Sequence, residues 1–557
     1  MTISSNYSTE SKKSQYTPTI GVECHVQLAT KTKLFSPANN DARGQAPNTC
    51  ISPIDYALPG MLPILNQSAV QLAIQAGRAM NCKINAFSRF DRKHYFYPDS
   101  PKGYQITQFF APIIGAGFVE LPNGKKIRIE HAHLEGDAGK LTHFSNYSLI
   151  DFNRVDTPLI EIVSMPDLHS ATDTRDYCKE LWRLMTFAQV SHGDLYNGNM
   201  RFDINISLAP TNTKKLGTRV EIKNLNSFRS IEHAVIHEIA RQTKLLNTGK
   251  KVIQETRGWS DATGKTTSQR SKEEAKDYRY MPEPDLPPLN LSADFIATES
   301  KKLPLMPADY RRLFSRIIPT DTLEILLDHP RLMRGLADLT AIKATSGATG
   351  GTSKASSSER LGETVATKPA EIINNAEMAQ TTVSETVPRN SHEDFVVSEP
   401  RDGGRERTWS KELSSSIMLI ANLFTSVLLA EENTSLLNDE LPSTKQLLDL
   451  AKMNFKKELS STATKEVFLK FFDPKMHYKD TNTIAKELGL IQENDLGVLE
   501  QIVDKVLSKP ETKKAQEDYK NGEEKVLGFL IGQIMKESKG KANPTIVQQI
   551  LKTKLKN

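Results

Sequence analysis

The chain has 557 residues, 38% of them hydrophobic and 25% charged, with a formal net charge of +5. That length exceeds what one hydrophobic core organises and predicts about three domains of ordinary globular composition. No apolar run is long enough to span a bilayer. The four cysteines, Cys24, Cys50, Cys82 and Cys178, never form a Cys-x-x-Cys pair, which argues against a zinc ribbon or a dense disulfide framework and fits a reducing compartment.

Residues 1–17 are rich in Ser, Thr and Tyr, with Lys12 and Lys13 but no Arg, and are expected to be a disordered segment and at best a weak targeting signal. From Pro18 the texture becomes that of an α/β or α+β enzyme domain. Ile20 to Leu28 alternates as a strand, with Ile20, Val22, Cys24, Val26 and Leu28 on one face and Glu23, His25 and Gln27 on the other. A carboxylate and an imidazole side by side on a rigid strand form half of a divalent-metal site, although many amphipathic strands turn a polar face only to water. Helices are predicted over Ser68–Met80, Thr172–Val190 and Ile231–Leu246.

Three further strands repeat the two-faced pattern. Ile129–Asp137 groups His131, His133, Glu135 and Asp137, with Glu130 spoiling the apolar face. Arg201–Leu208 groups Arg201, Asp203, Asn205 and Ser207, and Thr218–Lys223 groups Arg219, Glu221 and Lys223. Solvated antiparallel sheets alternate in this way, but the polar set here mixes Asp, Asn, His, Glu and Arg, residues that bind metals and phosphates. Pro158–Val163 differs: Glu161 stands among Leu159, Ile160, Ile162 and Val163, where a carboxylate needs a cation or an ion pair, with Arg154 as one candidate.

Two loops, Arg89–Pro98 and Asp99–Ile106, interleave cations with aromatics and suit anion binding or simple packing. The run Ser271–Pro288 ends in prolines and marks a domain edge. Short helices are predicted over Ala308–Ile342, with breaks at Pro319 and Pro330, and a longer one over Ser410–Leu429. Between them, residues 343–406 have the composition of a disordered insertion. Helices return over Leu499–Leu507, Glu523–Lys536 and the stretch to Leu555. The last twenty residues hold Lys539, Lys541, Lys552, Lys554 and Lys556 and no acid, a composition that suits a phosphate backbone or a merely solvated helix.

Several ordered motifs now coincide: Gly21-Val-Glu-Cys-His-Val-Gln-Leu28, Arg89-Phe-Asp-Arg-Lys-His-Tyr-Phe-Tyr-Pro-Asp99, Pro101-Lys-Gly-Tyr-Gln-Ile106, His133-Leu-Glu-Gly-Asp-Ala-Gly-Lys140, Pro158-Leu-Ile-Glu-Ile-Val-Ser164, Gly217-Thr-Arg-Val-Glu-Ile-Lys-Asn-Leu-Asn-Ser-Phe228 and Tyr278-Arg-Tyr-Met-Pro-Glu-Pro-Asp-Leu-Pro-Pro288. Together they resemble the B subunit of the aspartyl/glutamyl-tRNA amidotransferase (GatB). The resemblance resumes from Ser410 and includes Glu517–Phe529 and Lys539–Pro544.

The resemblance implies an α+β fold. A cradle-like domain (residues 18–290) with a mainly antiparallel sheet and helices would be followed by an all-α helical domain (291–485) and a small α-helical tail domain (486–557). It implies an ATP- and Mg2+-dependent ligase that phosphorylates the γ-carboxylate of glutamate on tRNA(Gln) and amidates it with ammonia. The ammonia would come from a partner amidase (glutaminase) subunit, with a small third subunit completing the complex and the helical parts holding the tRNA. Phosphoryl transfer suits these residue types, since it needs cations around phosphate and little covalent work.

Carried over position by position, Glu23, His25, Glu135 and Glu161 are expected metal ligands. Glu23, His25, Lys93 and Lys102 are the catalytic candidates, the two lysines falling where the family has lysines near the ammonia passage. Arg219, Glu221 and Lys223 are the candidates for holding the nucleotide.

Departures are visible too. Glu135-Gly136-Asp137 stands where bacterial members usually carry Glu-Glu-Asp, so an acid is missing and Glu135, Asp137 or a water is expected to cover it. Met165 stands where an acid is usual, and no cysteine cluster is present for zinc. These features and the insertion suggest a fungal mitochondrial member acting in the matrix, with a bacterial cytoplasmic one as the alternative. A tRNA-binding scaffold with a decayed site and a free-standing ammonia ligase are the rival functions.

Overall fold

The computed structural model describes residues 15–213, 215–271, 277–346, 409–493, 495–538 and 541–556. Most of the expected N-terminal segment, nearly all of the insertion, residues 272–276 of the proline-terminated run and Lys539 of the basic tail therefore lie outside the described residues. The chain divides into two compact units, one ending at Met333 and one starting at Arg334. No single helix among the described residues is long and apolar enough to cross a membrane.

The first unit is built on an eight-stranded sheet. Its strands are β1 (Tyr16–Gln27), β2 (Gly117–Glu120), β3 (Lys126–Gly136), β4 (Pro158–Ser164), β5 (Met200–Pro210), β6 (Val220–Leu225), β7 (Glu255–Ser260) and β8 (Lys265–Ser271). In space they run β8-β7-β6-β5-β1-β4-β3-β2, antiparallel except for the β6–β7 pair. The mixed α+β architecture is the expected one.

The alternating strands sort their faces as the two-residue period requires. Ile20, Val22, Cys24 and Val26 of β1 are at most 2% exposed. They share one core with Ala73 and Ile74 of α1 (Gln67–Ala79), Tyr177 and Leu181 of α2 (Ala171–Phe187), and Ile231 and Ala234 of α3 (Phe228–Asn247). Each helix begins where a polar side chain accepts a backbone N–H: Asn66 from Ser68, Ser170 from Asp173 and Ser227 from Ser230. All four cysteines are free and buried.

The proline-rich run does not leave this unit. Met281–Pro282 pairs with Asp91–His94, which pairs in turn with Tyr104–Thr107, making a small sheet beside the polar face of the large one. Leu289–Asn290 pairs with Phe87–Ser88. Beyond it, the helices Pro307–Phe314 and Thr320–Leu326 are held to α2 by charge. Arg311 bonds Glu180 at 2.7 Å, and Arg183 reaches Glu324 at 2.6 Å and Asp328 at 2.7 Å. Glu180 and Arg183 are nearly inaccessible to solvent, where breaking one partner of an ion pair leaves an uncompensated charge.

The second unit is helical among its described residues. Lys411–Leu423, continued by a wider turn over Phe424–Leu428, packs with Thr444–Phe455 and Ser461–Lys470. The last helices, Leu496–Leu507, Leu527–Glu537 and Pro544–Lys556, surround their own core of Leu499, Val503, Leu530, Ile534, Val547 and Leu551.

Candidate functional site

The polar face of the central strands forms the floor of a cleft of about 540 Å³. Register explains its composition. His25 of β1 pairs with Arg201 of β5 on one side and with Glu161 of β4 on the other, and Glu161 pairs onward with His133 of β3. Directly opposed residues on one face of a sheet stand within side-chain reach, so Arg201, His25, Glu161 and His133 form a row across four strands. Glu135, two residues beyond His133 on the same face, closes the group.

The apolar face of β3 that Glu130 spoils is repaired by a bulge. The register slips between Ile129 and His131, so two residues of β3 oppose one of β4. Glu130 is the extra residue and points to solvent. The slip flips the alternation, and Ile127 and Ile129 before it and Ala132 and Leu134 after it are all buried.

Within the cleft, His25 Nε2 lies 3.5 Å from Glu135 and 3.6 Å from Glu161, while His133 Nε2 lies 3.6 Å and 3.4 Å from the same two carboxylates. One ligand atom from each of His25, Glu135 and Glu161 falls within 4.8 Å of the others, a spacing that suits a metal ion. Burial disfavours a charged imidazole at His133, but its bonds to Glu135 and Glu161 and their charges outweigh that and raise its pKa to about 9. His25 is raised for the same reasons against the same burial. Burial raises the Glu161 carboxyl, and the bonds and charges of His133 and His25 more than reverse it, leaving it well below the usual range. The two carboxylates thus demand positive charge, supplied by protons on the imidazoles or by a cation in their place. Glu161 takes the two histidines as partners; Arg154 instead faces Asp137 and the carbonyls of Ala138 and Gly139.

Glu23 belongs to a neighbouring cluster, not to that of His25. Its carboxylate groups with those of Asp203 and Glu221, again within 4.8 Å. The register sets Glu23 against Asp203 and Asn205 against Glu221. Asn205 donates to Glu23 at 2.8 Å, Lys223 to Asp203 at 2.8 Å and Thr256 to Glu221 at 2.6 Å. Burial, and then the charges of Glu161 and Asp203, raise the Glu23 carboxyl despite the Asn205 bond. Lys223 answers two of the three acids, Asp203 at 2.8 Å and Glu221 at 3.5 Å.

The expected cations divide. Lys93, Lys102 and Lys223 line the cleft with Arg201. Lys93 sits over the Tyr278 ring, and Lys102 donates to Asp156. Arg219 does not reach the cleft: it is exposed and borders a separate pocket with Gly21, Glu23 and Asn205. Glu221 is buried, accepts from Thr256 and groups with Glu23 and Asp203. Sequence reasoning placed Asp203 and His133 on the right faces without giving them a role. It missed Asp156 altogether, which has no periodic signal because it lies in a turn at a left-handed φ of 56°.

A carboxylate-rich floor with convergent cations on an antiparallel sheet defines a polar, charged class of cleft, whose lining suits cations and anionic groups better than an apolar guest. Comparison with known proteins narrows this. Residues 18–297 match the family described as GatB/GatE catalytic domain, and residues 411–555 match the one described as GatB domain. Relatives named as aspartyl/glutamyl-tRNA(Asn/Gln) amidotransferase B subunits include that of Elusimicrobium minutum, 39% identical over 539 residues (96% of this chain, 98% of the relative). Those of Thermotoga maritima and Caldicellulosiruptor bescii are 38% identical over 548 residues (96% and 98%) and 37% identical over 549 residues (97% and 99%). The chain belongs to the GatB family of amidotransferase B subunits. The relatives named here are bacterial and lend no support to a fungal mitochondrial origin.

Proposed function

We propose that the chain is the ATP-dependent B subunit of a glutamyl-tRNA(Gln) amidotransferase, activating the glutamyl γ-carboxylate of Glu-tRNA(Gln) as an acyl phosphate, with ADP released, and amidating it with ammonia, which displaces phosphate. The supporting observation is the convergence of His25, Glu135 and Glu161 from three strands beside a second acid cluster in the same sheet.

The donor set fits a hard divalent cation, because carboxylate oxygens dominate both clusters with one imidazole nitrogen in the first. His25, Glu135 and Glu161 would hold one magnesium, and Glu23, Asp203 and Glu221 a second. Bound magnesium supplies charge neutralisation for the phosphates of ATP. The chain's own cations do the rest: Lys223, Arg201 and Lys93 face the cleft and attract the anionic substrate groups. Lys102, held by Asp156, adds a further positive charge to the cleft. The convergence of both acid clusters on one sheet face favours a catalytic subunit over a scaffold, even with Gly136 in place of an acid. Ammonia would come from an amidase partner, the complex would be completed by a small third subunit, and the helical unit would bind the tRNA. The mitochondrial matrix is the proposed location, with bacterial cytoplasm as the alternative.

The test is a complex of this chain with its amidase partner, supplied with Glu-tRNA(Gln), glutamine, ATP and Mg2+. Gln-tRNA(Gln) is expected only when all four are present. Absence of product from the complete mixture overturns the assignment, and amidation of free glutamate by the chain alone would replace it with an ammonia ligase.

A further inference from the structure

The acid that the sequence leaves unaccounted for near Gly136 has a position in the structure. A Cβ on residue 136 would stand 2.7 Å from Asp156 Oδ1 and 3.3 Å from the Asp156 Cα. A side chain at 136 therefore points at the space that the Asp156 carboxylate fills, and that carboxylate has to shift if both are present. The backbone makes them neighbours. Asp156 donates its N–H to the Asp137 carbonyl at 2.9 Å, Asp137 donates to Thr157 at 3.0 Å, and Gly136 pairs with Pro158 where β3 meets β4.

Asp156 has an unusual setting for a surface-turn residue type. It is 5% exposed and adopts a left-handed φ of 56°, a conformation in which glycine is most at ease and aspartate is tolerated. Its carboxylate accepts from Lys102 Nζ, which lines the cleft with His25, Glu135 and Glu161. Behind it lies a second, wholly buried pair, Lys33 and Asp55, 3.6 Å apart. Asp55 accepts from Ser36 and from the Ser52 N–H, while Lys33 Nζ and Asp55 Oδ1 make no hydrogen bond of their own. Burial lowers the Lys33 amine and raises the Asp156 carboxyl, and each is partly compensated by its oppositely charged neighbours. Charges alternate from the cleft inward: Lys102, Asp156, Lys33, Asp55.

We propose that Asp156 is the positioning residue for Lys102, delivering from residue 156 the carboxylate that an acid at residue 136 would deliver to the same spot, so that Gly136 and Asp156 are an exchangeable pair. The buried Lys33–Asp55 pair balances that carboxylate from behind. Neither Glu135 nor Asp137 covers the gap, since Glu135 is engaged by the two histidines and Asp137 by Arg154 and Arg201. Asp156 acts through Lys102 and does not itself need to touch substrate. The consequence for amidation rests on the proposed function; the pairing of Lys102 does not.

The experiment is an exchange cycle in the complex with the amidase partner: Asp156→Asn, Asp156→Gly, Gly136→Asp and the double exchange Gly136→Asp/Asp156→Gly. Asp156→Asn is expected to lower kcat for Gln-tRNA formation at least tenfold, with KM for Glu-tRNA and glutamine hydrolysis within twofold of the unaltered complex. Asp156→Gly and Gly136→Asp are each expected to lose as much, and the double exchange to recover to within threefold. Unaltered kcat in Asp156→Asn overturns the proposal, as does a double exchange no faster than Asp156→Gly while melting at the unaltered temperature. Acetylation of Lys102 by acetic anhydride, followed by peptide mass spectrometry, separates this from failure of the assigned reaction. If no complex forms Gln-tRNA, faster labelling of Lys102 in Asp156→Asn still supports the pairing, and equal labelling refutes it.

Discussion

The two acid clusters on the same sheet face differ in what answers their charge. His25, Glu135, Glu161 and His133 form a nearly balanced set, two carboxylates against two imidazoles. Glu23, Asp203 and Glu221 bring three carboxylates together around Lys223, the Asn205 amide and the Thr256 hydroxyl. The first arrangement can hold itself together with protons; the second is held against its own repulsion by the surrounding fold. A sheet thus carries two acid clusters of different character a single residue pair apart, through the choice of neighbours alone.

Breaking the shared element should do most damage. Glu161→Ala removes one of the two carboxylates that both histidines share and is expected to lower Gln-tRNA formation by about 10³-fold, measured as kcat/KM with saturating ATP. Glutaminase activity of the partner should persist. A loss of less than tenfold would deny the first cluster its role.

In the second cluster activity and stability should part company. Glu23→Gln is expected to lower transamidation by about 10²-fold. It should nonetheless raise the stability of the metal-free protein by up to about 1 kcal/mol, because it removes a carboxylate whose pKa burial and like charges have raised. The sign is opposite to that of an ion-paired acid: a raised carboxyl costs stability as pH rises through its folded pKa and restores it on acidification. Urea unfolding in chelator at pH 7 measures this, and a destabilised variant would show the three acids to be better compensated than their partners suggest.

The first cluster should titrate the other way. His133 has a folded pKa of about 9, above the ordinary histidine value of about 6.5. Its contribution is therefore fully present below about pH 6.5 and is lost as pH rises through about 9. The thermal midpoint in chelator should fall across that window, and His133→Gln should flatten the fall. Excess Mg2+ should also flatten it, by taking the place of the protons.

The smallest effect is expected at Arg219, which lies outside the cleft. Arg219→Ala should change stability by no more than about 0.5 kcal/mol and leave ATP dependence unchanged. A large rise in the KM for ATP would bring the neighbouring pocket into the site.

Much of this was legible in residue order. The two-residue alternation in Ile20–Leu28 and Arg201–Leu208 announced both the buried face and the polar one, because a strand's side chains have nowhere else to go. The helices over Ser68–Met80 and Ile231–Leu246 followed from apolar spacing, and their observed ends differ by no more than three residues. The motifs carried the family. Glu130 misled because a bulge changes the parity of a strand without any mark in the local pattern. Glu23 and His25, adjacent on one face, were grouped together because spacing along a strand cannot tell which partner strand lies on which side.

Sequence by itself therefore determined the alternating strands of the cleft floor, their two faces and the helical C-terminal region, since each depends on local periodicity. The short strands Asp91–His94 and Tyr104–Thr107, by contrast, read as loops. The tertiary structure alone decided that Glu161 answers two histidines and not Arg154, and that Glu23 joins Asp203 and Glu221. It also showed that Asp156 fills the space beside Gly136. Those are consequences of register, of a bulge and of a left-handed turn, which bring together residues from β1, β3, β4 and β5 that no spacing along the chain relates.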